Sequence, residues 1–174
     1  MRAATFIIVL FWGMSPLLAQ EHNEEALEHE PRDFLGAFIG NTIIVESSFQ
    51  LPTIGVEYVR EVTPTIGIGI TAELEIGSHI IQKDELGVVI SEVEREGAAL
   101  LLPSIFIKVY KGLIFTTGYG IEFEKNENLA LAKAGFEYKL RMHNPNWLIL
   151  PSVSWDHTKS FNGVVYGVTF GYGF

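Results

Sequence analysis

Twelve charged side chains stand at alternating positions within runs that are otherwise apolar, small or glycine-rich. The acids are Glu57, Glu61, Glu73, Glu75, Glu122, Glu124, Glu137 and Asp156, and the bases are Lys108, Lys133, Lys139 and Arg141. Residues two apart share one face of a strand, so this spacing gathers the charges on one side of their elements. Charges removed from water persist only when paired or hydrated. The set can therefore form an ion-paired network that fills a narrow interior. Alternatively, because acids outnumber bases, it can line a path that favours cations.

Nucleophilic chemistry has fewer candidates. Asp156, His157 and Ser160 lie close in sequence, and Ser78 adjoins His79. A Ser–His–acid relay requires mutual hydrogen-bond reach. As strand neighbours, Asp156 and His157 point to opposite faces, and Ser160 falls in a turn. No catalytic residue is assigned on this pattern, and the chain is expected not to be an enzyme. There is no P-loop, dinucleotide fingerprint, HExxH or EF-hand spacing. The chain has no cysteine, which excludes disulfides, thiolate metal sites and a lipoprotein anchor. His22 and His29 sit in an acidic stretch, and Asp84, Glu85, Glu92, Glu94 and Glu96 in another. Both read as solvated, so no metal or cofactor is expected. A net charge of -9 repels phosphate backbones and argues against nucleic-acid binding.

The elements that must position these charges have a period of two from Phe34 to Phe174. Over the last of them, Val164, Tyr166, Val168, Phe170, Tyr172 and Phe174 oppose Val165, Gly167, Thr169, Gly171 and Gly173. In 65–77, Ile66, Ile68, Ile70, Ala72, Leu74 and Ile76 oppose a face of threonine, glycine and glutamate. The same split recurs in 113–124, 130–141 and 147–157, and more weakly in 34–43, 53–62 and 99–110. That predicts eight strands.

Alternation alone also suits a soluble sandwich or lipocalin-like barrel, which would carry bulk inside and charge outside. Here the bulky face lacks charge over whole strands. An eight-stranded barrel has an interior only wide enough for side chains. The small and charged face is therefore expected inside and the apolar face against lipid, as in outer-membrane barrels. Segments of this length span the apolar band when tilted, and no segment after residue 19 has the roughly 20 apolar residues of a membrane helix. Connections after strands two, four and six are short. Those after strands one, three, five and seven are mostly longer, which places both termini at the periplasmic end. The longest, 78–97, is expected to hold a hairpin extension or a helical turn. Tyr58, Tyr110, Tyr119, Tyr138, Trp147, Trp155, Tyr166 and Tyr172 suit interfacial girdles, and Arg60 is expected at the periplasmic rim.

Ahead of the barrel, Arg2, the apolar run Ala3–Met14 and Ala19 before Gln20 read as an export signal over 1–19. Residues 20–33, acidic and interrupted by Pro31, read as a flexible periplasmic leader. Residues 34–174 form the barrel.

The closing Tyr166, Phe170, Tyr172 and terminal Phe174 resemble the last strand of bacterial outer-membrane barrels. That resemblance implies recognition by a barrel-assembly machinery. The runs Phe38-Ile39-Gly40-Asn41-Thr42, Gly118–Asn128 and Tyr166–Phe174 are similar to a group of small porin-like outer-membrane β-barrel proteins. That family has histidine where Asn41 stands, so no role is carried to this position, and the resemblance implies a fold without an activity. The expectation is an all-β, eight-stranded antiparallel up-and-down transmembrane barrel, monomeric, in the outer membrane and in contact with its lipid. Its role is expected to be structural or surface-interacting, with its lumen plugged by charged side chains. A small cation-favouring channel and a lipid-modifying enzyme are the alternatives.

Overall fold

The computed structural model describes residues 31–85, 88–124, 128–144 and 146–174, with backbone alone for 78–85, 88–96 and 141. The proposed export signal (1–19), most of the leader, His22 and His29 lie outside the described residues. The chain forms β1 (Asp33–Ile44), β2 (Phe49–Glu61), β3 (Ile66–Glu75), β4 (Ser78–Glu85), β5 (Val88–Glu96), β6 (Ala99–Tyr110), β7 (Leu113–Phe123), β8 (Asn128–Tyr138), β9 (Leu140–Arg141), β10 (Trp147–His157) and β11 (Asn162–Gly173). Pairing runs β11-β1-β2-β3-β6-β7-β8-β10, and β10 also pairs with β11, so the sheet closes. Every ladder is antiparallel. The two-residue β9 continues β8 against β10, after a break at Lys139, whose amide bonds Gly112 O in a turn. The predicted eight-stranded barrel is what forms.

The register fixes the barrel's geometry. Directly opposed residues run from Ile44 to Gly163, Asp156, Lys133, Gly118, Ser104, Gly69, Val59 and back to β1 at Phe34. One circuit thus slips by the ten residues that separate Ile44 from Phe34. Ten residues at ~3.3 Å against eight strands at ~4.8 Å give a tilt of about 41°, within the usual barrel range. Strands of 10–13 residues at that tilt cover the apolar band. No described helix is long and apolar enough to cross a membrane.

Alternation settles which face is which. Ile66, Ile68 and Ile70 are 42%, 52% and 43% exposed on the outside, while Glu75 is 3% exposed and Glu57 6%. Leu35, Ile39, Val56, Ile105, Phe136, Val153 and Phe170 continue the exposed apolar belt. The largest apolar patch on a soluble monomer is typically about 300–600 Å², whereas this belt runs around every barrel strand. Its natural solvent is hydrocarbon.

The expectation that the interior holds only small and charged residues is corrected. Phe34, Phe38, Phe106, Leu100, Leu102, Leu129, Leu131, Leu148, Leu150 and Phe161 are inside as well. The glycines explain how they fit. A Cβ on Gly167 would come within 2.6 Å of the Phe38 ring, and the Phe34 ring occupies the same kind of space over Gly171. Glycine on one strand makes the slot that a phenyl ring from its neighbour fills.

The connections alternate in length. Thr63 Oγ1 accepts the amides of Thr65 and Ile66 in the β2–β3 turn. Lys111 and Gly112, with φ of 23° and 90°, make the two-residue β6–β7 hairpin of the kind that positive φ permits. Asn144 Oδ1 accepts the amide of Asn146 before β10. At the opposite end, Thr158 Oγ1 accepts the amides of Ser160 and Phe161. The 78–97 connection contains the β4–β5 hairpin, a separate two-stranded sheet that leaves β3 and rejoins β6 through a Gly97 N–H···O Gly77 bond of 2.9 Å.

Candidate functional site in the barrel lumen

Three kinds of layer stack inside the barrel. At the loop end Ile44, Leu51, Leu129 and Phe161 are at most 2% exposed and pack together, with Ala98, Leu100, Leu102 and Leu131 just below. At the turn end Phe106, Ile114, Leu148 and Leu150 pack with Phe34 and Val59. The middle is polar. Its centre is Lys133 on β8, whose Nζ donates to both oxygens of Glu73 at 2.7 Å and lies 3.4 Å from Asp156 Oδ2. Asp156 is the register neighbour of Lys133, whereas Glu73 reaches it from β3, across the lumen. The tie therefore spans the lumen between strands that are not neighbours. All three side chains are more than nine-tenths buried. A buried pair of this kind contributes little net stability, yet breaking it from one side costs about 3–5 kcal/mol, because a charge is left without its partner.

Two cavities lie below this tie. The upper, of about 40 Å³, is lined by Glu57, Glu73, Lys133 and Glu137 and by the hydroxyls of Thr71, Ser104, Thr116, Ser152, Ser154 and Thr169. The lower, of about 50 Å³, shares Glu57, Phe106 and Glu137 with it and extends to Arg32, Glu61, Lys108 and Lys139 at the turn end. There Lys108 Nζ lies 2.7 Å and Lys139 Nζ 3.9 Å from Glu61 Oε1. Glu75 and Glu122 are buried nearer the loop end, and Glu124 follows β7. The backbone of Arg141 pairs with Leu148; its side chain lies outside the described residues. The eleven charges with described side chains thus fall into a buried middle, a solvent-touched group at the turns, and the loop-end acids. One buried contact had no signature in charge: Thr42 and Thr53 hydroxyls share a hydrogen bond of 2.8 Å. The interior phenylalanines did carry a signal, since Phe34 and Phe38 share parity with Gly36 and Gly40.

The remaining candidates separate. Asp156 is 1% exposed inside, while His157 is exposed outside, where its Nδ1 lies 2.8 Å from Asn162 Oδ1. Asn162 in turn donates its backbone and side-chain N–H groups to Glu46. Ser160 is held in the Thr158 turn. The three do not form a relay, and the side chains of Ser78 and His79 lie outside the described residues. Arg60 is exposed at the turn end, 3.8 Å from Asp33, which also accepts the Tyr58 hydroxyl. Trp147 meets Tyr172 edge-on at 5.4 Å, and Asn146 Nδ2 donates to the Tyr172 hydroxyl. On the closing strand Tyr166, Phe170, Tyr172 and Phe174 are all exposed on the outer face.

No protein-family model and no curated protein matches the chain. Solved structures do. The attachment invasion locus protein Ail of Yersinia pestis aligns at a TM-score of 0.50, with 10% identity, covering 84% of this chain and 100% of Ail. Ail in complex with the heparin analogue sucrose octasulfate aligns at 0.52, with the same identity and coverage. The N-terminal β-barrel domain of Pseudomonas aeruginosa OprF aligns at 0.48, with 10% identity over 84% of this chain and 100% of that domain. At such identities the likeness to Ail speaks for architecture, and it joins the exposed apolar belt and the closed register in one conclusion. The chain has the fold of the small bacterial outer-membrane β-barrels.

Proposed function

We propose that the protein is an outer-membrane barrel with a closed lumen, and that its role is structural or exerted through surface contacts at the loop end. The observation that carries this reading is the packed layer of Ile44, Leu51, Leu129 and Phe161, at most 2% exposed, which supports an apolar seal at that end. The Lys133–Glu73 tie beneath it reinforces the closure. The alternation of short turns at one end with longer connections at the other supports a reading in which both ends of the barrel chain face the periplasm. The closing strand, with its outward aromatics, is the segment for the barrel-assembly machinery to read, and the barrel works as a monomer in contact with outer-membrane lipid. The β4–β5 segment carries Asp84, Glu85, Glu92, Glu94 and Glu96 against Lys83 and Arg95, so its partners are expected to be cationic.

Planar-bilayer recording of the refolded barrel tests the closure. The expected result is a silent membrane. Steady cation-selective openings would replace this reading with that of a small channel, which the acidic excess of the middle layer would then explain. Fractionation with the outer membrane and a heat-dependent shift in gel mobility test the location.

A further inference from the structure

We infer that the upper lumen cavity binds one alkali cation, Na⁺ or K⁺, which enters from the turn end and is held by Glu57 and Glu137 with the hydroxyls around them. Four observations meet there. First, the lining charges are lopsided: Glu57 from β2, Glu73 from β3 and Glu137 from β8 face the space, against Lys133 alone. Second, Lys133 directs its hydrogen bonds to Glu73, and its second ion pair is with Asp156 on β10. Third, Glu57 is 94% buried by the complement of its 6% exposure, and its Oε1 has no hydrogen-bond partner among the described residues. A buried carboxylate oxygen left so requires a counter-charge or a proton. Fourth, the cavity of about 40 Å³ has the size for a small ion with water, since one water needs about 10–15 Å³ measured this way.

The donor set selects the class of ion. Carboxylate and hydroxyl oxygens are hard ligands that suit alkali and alkaline-earth ions and not soft metals. Among the described residues no three acidic or histidine side chains converge as a metal cage, which disfavours a divalent ion that needs several charged ligands. A monovalent ion that keeps part of its hydration fits two carboxylates and a ring of threonine and serine hydroxyls. Access is one-sided. The lower cavity meets the upper at Glu57, Phe106 and Glu137 and reaches the turn end, while the loop end is sealed by the apolar layers.

Equilibrium dialysis of the folded, detergent-solubilised barrel against radioactive sodium, in a choline chloride background at mildly alkaline pH, tests this. Saturable uptake of one sodium per barrel, displaced by potassium and not by choline, is expected. Glu57→Gln should weaken it by roughly tenfold or more, and Glu137→Gln serves if the first variant does not fold. No saturable uptake by the unmodified barrel would show that protons neutralise these carboxyls and would overturn the inference, as would undiminished uptake by the folded Glu57→Gln barrel. Uptake without conductance leaves the closed-lumen reading standing, and conductance without uptake removes that reading as well as this one.

Discussion

Replacing Lys133 by methionine should destabilise the barrel more than any surface change of similar size. The lysine bonds both oxygens of Glu73 and lies 3.4 Å from Asp156, and the three side chains are 9%, 8% and 2% exposed. At that burial solvent screening offers little relief, so the discount proper to surface pairs does not apply. Methionine keeps the length and loses the charge, which leaves two buried carboxyls facing each other's field. Breaking a buried pair from one side costs about 3–5 kcal/mol. With a urea slope of about 1–3 kcal/mol per molar, the unfolding midpoint should fall by more than roughly 1 M. The readout is fluorescence of Trp147 and Trp155, both on the outer face, with the heat-dependent gel shift as a second probe of folding.

The triple variant Lys133→Met, Glu73→Gln, Asp156→Asn separates an unpartnered charge from lost packing. Removing every charge should recover most of the loss, to within about 1 kcal/mol of the original barrel, because replacing a buried pair with neutral groups of similar shape is often neutral. A Lys133→Met barrel within about 0.5 kcal/mol of the original, the range of ordinary surface substitutions, would refute the account. So would a triple variant no more stable than the single one.

Ile39→Arg, on the outer face midway along β1 and 60% exposed, should cost roughly 2–4 kcal/mol in lipid vesicles; a neutral effect would mean that this face meets water. Gly167→Ala places a methyl against the Phe38 ring and should cost about 1–3 kcal/mol by overpacking, partly relieved by adding Phe38→Leu, as read from urea midpoints. Leu129→Ala with Phe161→Ala should thin the loop-end seal and introduce conductance into bilayers where the original barrel is silent. An unchanged silent membrane would place the block lower, at the Lys133 tie. Trp147→Ala should lose about 0.5–1.5 kcal/mol for the edge-on contact with Tyr172, beyond the area it uncovers, and a double-mutant cycle with Tyr172→Ala measures that coupling.

The strands and the inside-out arrangement were legible because lipid imposes a rule with few exceptions: isoleucines at 66, 68 and 70 have no place in a narrow lumen already occupied by their alternates. Arg60 at the rim followed from the cost of charge in hydrocarbon. What stayed hidden was the filling of the interior. Phe38 and Phe106 look like lipid-facing residues by type, and only parity marks them as inward, Phe38 with Gly36 and Gly40 and Phe106 with Ser104 and Lys108. Which carboxylate meets Lys133 was hidden for another reason. Glu73 lies sixty positions away, and its meeting with Lys133 depends on strand count and stagger, which no local spacing reveals. The 78–97 connection left hairpin and helical turn open, since its apolar residues fit neither period over enough length, and the backbone resolves it as a hairpin.

The arrangement of charge also bears on how the fold selects its register. The outer face is so uniformly apolar that hydrocarbon alone would tolerate many ways of sliding one strand along the next. A slip of one residue exchanges the two faces of a strand. For β8 that would carry Lys133 and Glu137 out toward lipid and bring Ala132, Ala134 and Phe136 inward. A cation at the bilayer midplane costs roughly 2–4 kcal/mol, and the slip also strands Glu73 and Asp156 without their partner. For β3 the same slip would drive Ile68 and Ile70 into space that Gly67 and Gly69 leave for Phe106. A slip of two residues preserves the faces, and here the Lys133–Glu73 tie and the glycine slots act instead. Phe38 would no longer lie over Gly167 of the neighbouring strand, and Lys133 would no longer oppose Asp156. Charge in the lumen thus excludes odd slips, and the ion-pair tie together with the glycine slots excludes even ones, so a buried ion pair with little net stability can still specify the fold.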